Sequence, residues 1–213
     1  MHDILDNTQL LDELISISQE AGEAILKVYN SDFDYQIKND FSPLTEADKI
    51  SHQIISSTLK KLTPHIPIIS EEDCDIPFEV RSLWKEYWLI DPLDGTKEFI
   101  KKNGEFTVNI ALIRNHLPIF GVIYIPVYKQ TYWGHVDKGS FFVEEGKSAR
   151  KLDVSKNSIS TLKIIASLSH PSKLLNIVLE KLENYEIMNK GSSLKFCLIA
   201  SGEANLYPRF VPT

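Results

Sequence analysis

The sequence has little cysteine and no excess of positive charge. Only Cys74 and Cys197 occur among its 213 residues, which provides neither a disulfide framework nor a CxxC motif. Lys and Arg number 23 against 29 Asp and Glu, so the formal net charge is −6. Sequence-independent binding of a nucleic-acid polymer needs a basic face. The composition therefore argues against that class and leaves a small phosphorylated ligand open.

Long apolar runs are also lacking. No stretch of about 18 apolar residues occurs, so no transmembrane helix is expected. The first 18 residues mix acids with apolar side chains and contain no basic segment, which argues against a signal peptide. Together with the few cysteines, these absences predict a cytoplasmic protein.

The spacing of the apolar residues that are present predicts a mixed α/β (α+β) fold. Amphipathic helices are predicted over 8–29 and from Thr45 to Thr63, with a loop or mobile hairpin over 31–42. Strands, most of them in an antiparallel meander, are predicted at 66–70, 87–90, 106–112, 119–125, 130–136 and 140–145. The apolar run 87–90 is typical of a strand buried on both faces.

Beyond about residue 150 the pattern changes to an alternation of strands and helices. Strands are predicted at 163–167, 185–188 and 203–210, with helices at 171–183 and 192–200. Such an alternation indicates helices laid against a sheet. We therefore expect two domains. Residues 1–150 form a helix pair and an antiparallel sheet with most of the candidate metal ligands, and residues 151–213 form a smaller α/β unit.

Three clusters of acids are candidates for that chemistry. They are Asp48 in the segment 42–48, the run Glu71-Glu72-Asp73, and the string Asp91-Pro-Leu-Asp94-Gly95-Thr96. Each also has a purely structural explanation. Thr45-x-x-Asp48 fits a helix-capping box, the second cluster fits a solvated acidic turn, and Asp-Gly alone is a turn signal.

Taken together, the clusters favour a metal site. Asp91 follows an apolar strand and Asp94 comes three residues later, so a tight turn can aim both carboxylates at one point. Gly95 allows close backbone approach, and the amides of Gly95 and Thr96 can meet a phosphate. With Glu71 the ligands are all oxygens, which suit Mg²⁺ or Mn²⁺ rather than zinc. Two such ions about 3.5–4 Å apart can serve phosphoryl transfer.

In this order the motifs resemble the inositol monophosphatase superfamily, whose members are metal-dependent, lithium-sensitive phosphatases. The resemblance rests on Pro43-x-Thr-x-Ala-Asp48, Glu71-Glu72 and the string from Asp91 to Thr96. The 3′(2′),5′-bisphosphate nucleotidase branch is indicated by Lys97-Glu98-Phe99 and by the segments 103–109, 191–196 and 207–210. The resemblance spans about Leu10 to Thr213 and implies a layered αβαβα fold.

The resemblance also implies a metal-ligand set. Glu71, Asp91 and the Leu93 carbonyl would hold a first Mg²⁺, and Asp91 would bridge to a second that Asp94 also holds. A third ion held loosely through Glu71 is a further option, and Mn²⁺ is an expected substitute.

Catalytic and substrate-binding roles follow in the same way. Thr96 and Asp48 would polarise the attacking water. The implied substrate contacts are Gly95, Thr96, Glu98, Gly191, Ser192, Ser193, Lys195 and Arg209, with Tyr207 behind them. Serines at a helix start, a lysine point charge and an arginine fork can all bind phosphate oxygens. Ordinary capping serines and a snorkelling lysine are the alternative explanation.

One family motif is not found. The superfamily has Trp-Asp-x-Ala-Ala-Gly at a place that would lie a few residues beyond Thr213, and its Asp completes the second metal site. No Trp follows Trp133 in this sequence. We therefore expect an incomplete C-terminal domain, a second Mg²⁺ site that lacks a ligand, and exposed apolar surface that the missing part would cover.

The function implied by the resemblance is Mg²⁺-dependent removal of the 3′-phosphate from adenosine 3′,5′-bisphosphate, giving AMP and phosphate. Its relative 3′-phosphoadenylyl sulfate is a second expected substrate, and both link the activity to sulfur assimilation. An inositol- or sugar-phosphate phosphatase, a catalytically impaired protein that binds metal or phosphonucleotide, and a structural domain with coincidental acids stay open as alternatives. The oligomeric state is left open, and peripheral association with the inner membrane face rests on the resemblance alone.

Overall fold

The computed structural model describes residues 8–37, 43–73, 75–155, 160–167 and 173–210. The helices within these ranges are α1 (Thr8–Tyr29), α2 (Glu46–Leu62), α3 (Phe78–Arg81), α4 (Thr96–Ile100), α5 (Lys173–Leu179) and α6 (Leu194–Ala200). The strands are β1 (Tyr35–Ile37), β2 (Pro43–Thr45), β3 (Ile68–Ser70), β4 (Glu86–Asp94), β5 (Thr107–Arg114), β6 (Leu117–Ile125), β7 (Gln130–His135), β8 (Gly139–Glu144), β9 (Arg150–Lys151), β10 (Leu162–Ser167) and β11 (Tyr185–Lys190).

The two long helices form where the apolar periodicity predicted them. Leu14, Ala21 and Ile25 of α1 are fully buried and belong to the main core. The start of α2 is fixed by Thr45, whose Oγ1 accepts a hydrogen bond from the Ala47 amide, while the Asp48 carboxylate accepts one from the Thr45 amide. This is the predicted capping box, and it satisfies amides that the first turn of a helix leaves without partners.

A sheet of seven strands in the order β3-β4-β5-β6-β7-β8-β9 is the centre of the molecule. Strands β4 to β9 pair antiparallel, which confirms the predicted meander, whereas β3 pairs parallel to β4. The separate β1–β2 pair is antiparallel, which matches the hairpin alternative for this region. Residues 38–42, which connect the two strands in sequence, lie outside the described ranges. None of the helices in these ranges has the length and apolar character needed to cross a bilayer.

The two faces of this sheet differ. Helices α1 and α2 cover one face, where Trp88, Ile90 and Leu112 are buried in the main core. The other face forms the floor of a groove of about 1230 Å³. Leu89 lies there and is 43% exposed, so the prediction that the strand at 87–90 is buried on both faces is wrong. Its row continues across the sheet through three small residues, Ala111, Gly121 and Gly134, which leave the floor open.

A second unit packs on the β6–β7 end of that open face. Strands β10 and β11 pair in parallel. Ile165, Leu194 and Cys197 of this unit join Ile125 and Tyr132 of the sheet in a smaller core. Strand β9, at Arg150–Lys151, still belongs to the large sheet, so the division proposed near residue 150 falls inside it.

The strand predicted at 203–210 is wrong. Within this described segment only Leu206 pairs, in one parallel bridge to Ile164. Pro208 follows two residues later and has no N–H to donate, so the ladder does not continue. The helix predicted at 171–183 corresponds to α5, although residues 171–172 lie outside the described ranges.

Candidate active site

The candidate site is built on an irregularity in β4. Its pairing with β5 runs regularly from Glu86 to Asp91 and then shifts before Asp94, so that Pro92 and Leu93 oppose the single residue Val108. A bulge of this kind bends the strand and redirects its side chains. The two carboxylates are close enough for the charge of Asp94 to act on Asp91.

Gly95 ends this turn in a left-handed conformation, with φ of +94°. A Cβ atom there would lie 3.0 Å from the Glu105 carbonyl oxygen and 3.0 Å from the Ser192 Cβ. Only glycine adopts this conformation readily and leaves space for both neighbours. The close approach brings the turn of the second unit directly onto the β4–α4 connection.

Three carboxylates meet at this edge. Because β3 is parallel to β4, Glu71 directly follows β3 beside Asp91, and its amide donates to the Ile90 carbonyl. Burial, followed by the charges of Asp94 and Glu71, raises the pKa of Asp91 well above its ordinary value. Burial also raises the pKa of Asp94, although Lys195 opposes this. Both carboxyl groups are thus held where the negative charge is disfavoured.

The donor atoms present fit a divalent cation. The Oδ1 atom of Asp91 is buried and has no hydrogen-bond partner among the described residues. Buried polar atoms normally have partners, and a cation would both satisfy this oxygen and offset the crowded negative charge. Carboxylate and carbonyl oxygens are the donors that Mg²⁺ prefers.

The described residues contain no cluster of three or more His, Cys, Asp or Glu side chains that could hold a metal ion. Glu71, Asp91 and Asp94 thus lie near one another without forming such a cluster, and the expected ligand sets stay predictions. Glu71 and Asp91 are completed by the Leu93 carbonyl in the first set, and the second set has only Asp91 and Asp94. The Leu93 carbonyl also accepts a hydrogen bond of 3.2 Å from the Thr96 hydroxyl.

Thr96 and Asp48 lie together, as the resemblance implied. The Thr96 Oγ1 atom is 3.3 Å from Asp48 Oδ1. The other oxygen of Asp48 accepts from the amide and the hydroxyl of Thr45, at 2.7 and 2.6 Å. The capping explanation and the expected catalytic position of Asp48 are therefore compatible, since each uses a different oxygen.

The turn between β11 and α6 reaches the same acids. The Ser193 amide donates a short hydrogen bond to Asp94 Oδ2. The Ser193 hydroxyl lies 2.8 Å from Asn109 Oδ1 and 2.7 Å from Thr107 Oγ1. Ser192 takes a left-handed conformation with φ of +45°, which a residue other than glycine adopts only when its surroundings impose it.

Lys195 and Glu98 are buried near this turn. The Lys195 Nζ atom donates to the Ser192 carbonyl. Burial lowers the pKa of Lys195, while Asp94 and Glu98 oppose the shift. Arg209 lies close enough to Lys195 to affect its pKa and contacts the Tyr207 hydroxyl at 3.4 Å. The structure thus places Ser193 and Lys195 of the second unit beside Asp94.

Two residues of this site were missed from the sequence. Thr107 and Asn109 are not among the predicted site residues, yet both hold the Ser193 hydroxyl. The available signal was their position in β5, where two polar side chains two residues apart share one face of an otherwise apolar strand.

Comparison with known proteins identifies the family. The model of the inositol monophosphatase family matches residues 6–212. The chain belongs to this family. A relative from Salmonella typhimurium, "3′(2′),5′-bisphosphate nucleotidase CysQ", is 46% identical over 206 residues, covering 96% of this chain and 82% of the relative. The protein of the same name from Buchnera aphidicola is 45% identical over 96% of this chain and 77% of the relative.

Solved structures of the family share this fold. CysQ from Bacteroides thetaiotaomicron, described as a bacterial member of the inositol monophosphatase family, superposes with a TM-score of 0.79 and 36% identity. The superposition covers 92% of this chain and 78% of that one. An IMPase from Thermotoga maritima has a TM-score of 0.78 at 22% identity, over 95% of this chain and 77% of its own, which shows the shared fold alone. The expected mixed α/β fold of the inositol monophosphatase type is confirmed.

Proposed function

We propose that this chain is a Mg²⁺-dependent 3′(2′),5′-bisphosphate nucleotidase, a phosphoric monoester hydrolase that converts adenosine 3′,5′-bisphosphate to AMP and phosphate. The observation that carries the proposal is the buried Asp91 oxygen without a partner, at the point where Glu71, Asp94 and the Ser193 turn meet. The names of the relatives at 45–46% identity support the choice of substrate class. We also propose activity on 3′-phosphoadenylyl sulfate, which links the enzyme to sulfur assimilation.

The chain's own oxygens would hold the metal. Glu71, Asp91 and the Leu93 carbonyl form the first proposed set, and Asp91 with Asp94 form the second. When bound, Mg²⁺ would neutralise charge on the phosphate and on the leaving oxygen. Two ions, a third loosely held at Glu71, and replacement by Mn²⁺ are parts of this proposal.

The pair Thr96 and Asp48 would orient the attacking water. The Thr96 hydroxyl can donate to Asp48 Oδ1 or to the Leu93 carbonyl, and its lone pairs then accept a hydrogen bond from a water molecule. The capping hydrogen bonds fix Asp48 on its other oxygen, so the carboxylate that receives the proton does not rotate away.

The substrate would bind where the two proposed domains, 1–150 and 151–213, meet. Lys195 and Arg209 supply positive charge opposite the acids, which suits a substrate with two phosphate groups. The remaining proposed contacts are Gly95, Thr96, Glu98, Gly191, Ser192 and Ser193. A cytoplasmic location stays a prediction that rests on the few cysteines and on the lack of a signal peptide and of long apolar runs. Association with the inner membrane face stays a prediction that rests on the resemblance.

The deciding experiment is Mg²⁺-dependent phosphate release from adenosine 3′,5′-bisphosphate, measured beside inositol 1-phosphate, with Asp94→Asn and addition of a chelator as controls. We expect release from the nucleotide that requires Mg²⁺ and is lost in the variant. Faster release from inositol 1-phosphate would contradict the substrate and favour the sugar-phosphate alternative.

A binding measurement separates the remaining alternatives. If the purified chain releases no phosphate but binds the nucleotide in a calorimeter, the catalytic part of the proposal is wrong and the chain is a binding protein. If it neither binds nor hydrolyses the nucleotide, the alternative of a structural domain is favoured, and that alternative predicts that Asp91→Asn and Asp94→Asn are tolerated.

A further inference from the structure

Glu105 is a buried carboxylate, outside the predicted site residues, that joins the two units. It lies between α4 and β5 and is only 8% exposed. Its Oε1 forms an ion pair of 2.7 Å with the Lys190 Nζ atom, and its Oε2 accepts a 2.8 Å hydrogen bond from the Gly191 amide. The two oxygens therefore hold adjacent residues that are 85 and 86 positions away along the chain.

The segment that Glu105 holds has no space to shift toward α4 or toward the Glu105 backbone. A Cβ atom on Gly191 would lie 2.5 Å from the Glu98 Cγ and 3.2 Å from the Glu105 carbonyl oxygen. Gly191 is thus pressed against α4 and against the backbone of Glu105 itself. The side chain of Glu105 supplies the hydrogen bond that keeps this close approach in one geometry.

Two residues further on, the same turn is fixed again. The Ser193 amide donates to Asp94, and Ser192 between the two anchors is in the left-handed region. A strained residue persists only when the structure on both sides of it is over-determined. Glu105 is the anchor on one side and Asp94 is the anchor on the other.

We infer that Glu105 is a positioning residue for the nucleotidase reaction, which fixes the Gly191–Ser193 turn through the Gly191 amide so that Ser192, Ser193 and Lys195 face the substrate. The inference rests on the proposed function. The competing explanation is that Glu105 and Lys190 form a buried ion pair that serves only the fold. The two explanations differ in which feature of Glu105 matters, the position of its acceptor oxygen or its charge.

Three substitutions of Glu105 distinguish the role of its acceptor oxygen from the role of its charge. Glu105→Gln keeps the length and an acceptor oxygen but removes the charge. Glu105→Asp keeps the charge but withdraws it by one methylene, beyond reach of the Gly191 amide. Glu105→Ala removes both. Lys190→Gln removes the ion pair alone, and Glu145→Gln removes the exposed ion pair with Lys129 as a matched control.

We expect the KM for adenosine 3′,5′-bisphosphate to rise about tenfold, equivalent to about 1.4 kcal/mol, in Glu105→Asp and Glu105→Ala, because the Gly191 amide then loses its acceptor. Glu105→Gln and Lys190→Gln should stay within about threefold of the parent KM, and Glu145→Gln should match it. The kcat should change less than the KM throughout. A KM raised equally by Glu105→Gln, Glu105→Ala and Lys190→Gln would overturn the inference, as would lower thermal stability with an unchanged KM.

Amide hydrogen exchange tests the same inference without catalysis. The peptide that contains Gly191 and Ser193 should exchange faster in Glu105→Asp and Glu105→Ala and at the parent rate in Glu105→Gln. If the parent chain releases no phosphate, the proposed function fails while this exchange pattern still decides whether Glu105 fixes the turn. Equal exchange in the parent and in Glu105→Asp would show that it does not.

Discussion

The two faces of the seven-stranded sheet differ in role. The face under α1 and α2 contributes to stability, and the open face carries the candidate site. On β4, Trp88 and Ile90 point into the core under α1 and α2, whereas Leu89 and Asp91 point to the open groove. Neighbouring residues of one strand thus serve different purposes, because successive side chains of a strand lie on opposite faces. The face that the helices cover can be apolar throughout, and the open face can carry charge.

The two faces also contribute differently to the free energy of folding. The site holds Asp91 and Asp94 partly buried and close to each other, and this arrangement disfavours their ionised forms. Such a site lowers the stability of the metal-free fold, and the helix-covered face has to compensate for it. The comparison predicts that substitutions on the two faces will separate stability from activity.

The largest expected effect is that of Asp91→Asn. This change should lower phosphate release at least about a hundredfold, since even residues behind a metal ligand matter by about 10–100-fold. It should also raise the melting temperature of the metal-free chain, because it removes a disfavoured buried charge; a gain of 1 kcal/mol corresponds to about 2–4 °C at this size. Calorimetry in a chelator and a phosphate assay check the two effects.

The pH dependence of that gain follows from the raised pKa of Asp91. Below the ordinary pKa the group is protonated in the folded and unfolded states, so the wild-type chain has no penalty. Between the ordinary and the raised pKa the unfolded chain ionises while the folded chain stays protonated, so wild type loses stability as the pH rises, and the loss is complete above the raised pKa. The advantage of Asp91→Asn over wild type should therefore shrink as the pH falls. If the stability advantage of Asp91→Asn instead grew as the pH fell, the pKa of Asp91 would not be raised in the folded chain.

The next largest effect is a difference in stability between substitutions at two adjacent residues of β4. Trp88→Ala should destabilise the fold by about 3–5 kcal/mol, because Trp88 is fully buried and its indole donates to Thr63 at 2.8 Å. Leu89→Ala, on the open face, should cost less than about 1 kcal/mol. Urea unfolding of both variants measures the difference. Equal losses would mean that the open face is covered in solution.

Removing a single hydrogen bond on either face should have a smaller effect on stability or on activity. Thr63→Val removes the partner of the Trp88 indole and should cost about 1–3 kcal/mol of stability, with kcat/KM unchanged. Ser193→Ala removes contacts to Thr107 and Asn109 and should lower kcat/KM about tenfold, with a smaller loss of stability. Thermal unfolding and steady-state kinetics on both variants test whether Thr63→Val mainly lowers stability and Ser193→Ala mainly lowers kcat/KM.

The smallest effect concerns Cys197, which packs between the second unit and the groove. Burial raises the pKa of this thiol to about 12, so almost no reactive thiolate is present near neutral pH. We expect the Cys197 peptide to stay unmodified by N-ethylmaleimide in the native chain and to react fully after denaturation. Rapid native labelling, read by mass spectrometry, would show that α6 separates from the sheet.

Much of the fold could be predicted because its signals are local. The apolar periodicity of α1 and α2, the Thr45 cap and the alternation along β5 each depend on residues close in sequence. The burial of β4 could not be predicted in this way. The sequence Tyr87–Ile90 is apolar throughout, and only the tertiary arrangement shows that Leu89 faces a groove.

The candidate site could be predicted where its residues form a contiguous motif. The string from Asp91 to Thr96 marked the turn correctly, and the structure brings Asp48 and Glu71 to it. The contacts of Thr107, Asn109 and Glu105 were not predictable, because each joins residues more than 80 positions apart. The hydrogen bonds that hold Gly191 and Ser193 therefore depend on the assembly of both units and not on any one segment.

The parallel pairing of β3 with β4 makes the candidate site depend on chain direction. Glu71 and Asp91 meet because both strands run toward the same edge. If β3 paired antiparallel with the same residues of β4 instead, Glu71 would lie beside Tyr87 or Glu86, about 14–17 Å from Asp91 at about 3.4 Å per residue. The sheet could retain its hydrogen bonds and its covered core in that arrangement. Metal affinity therefore distinguishes the correct topology from a compact isomer that spectroscopic measures of sheet content would not detect.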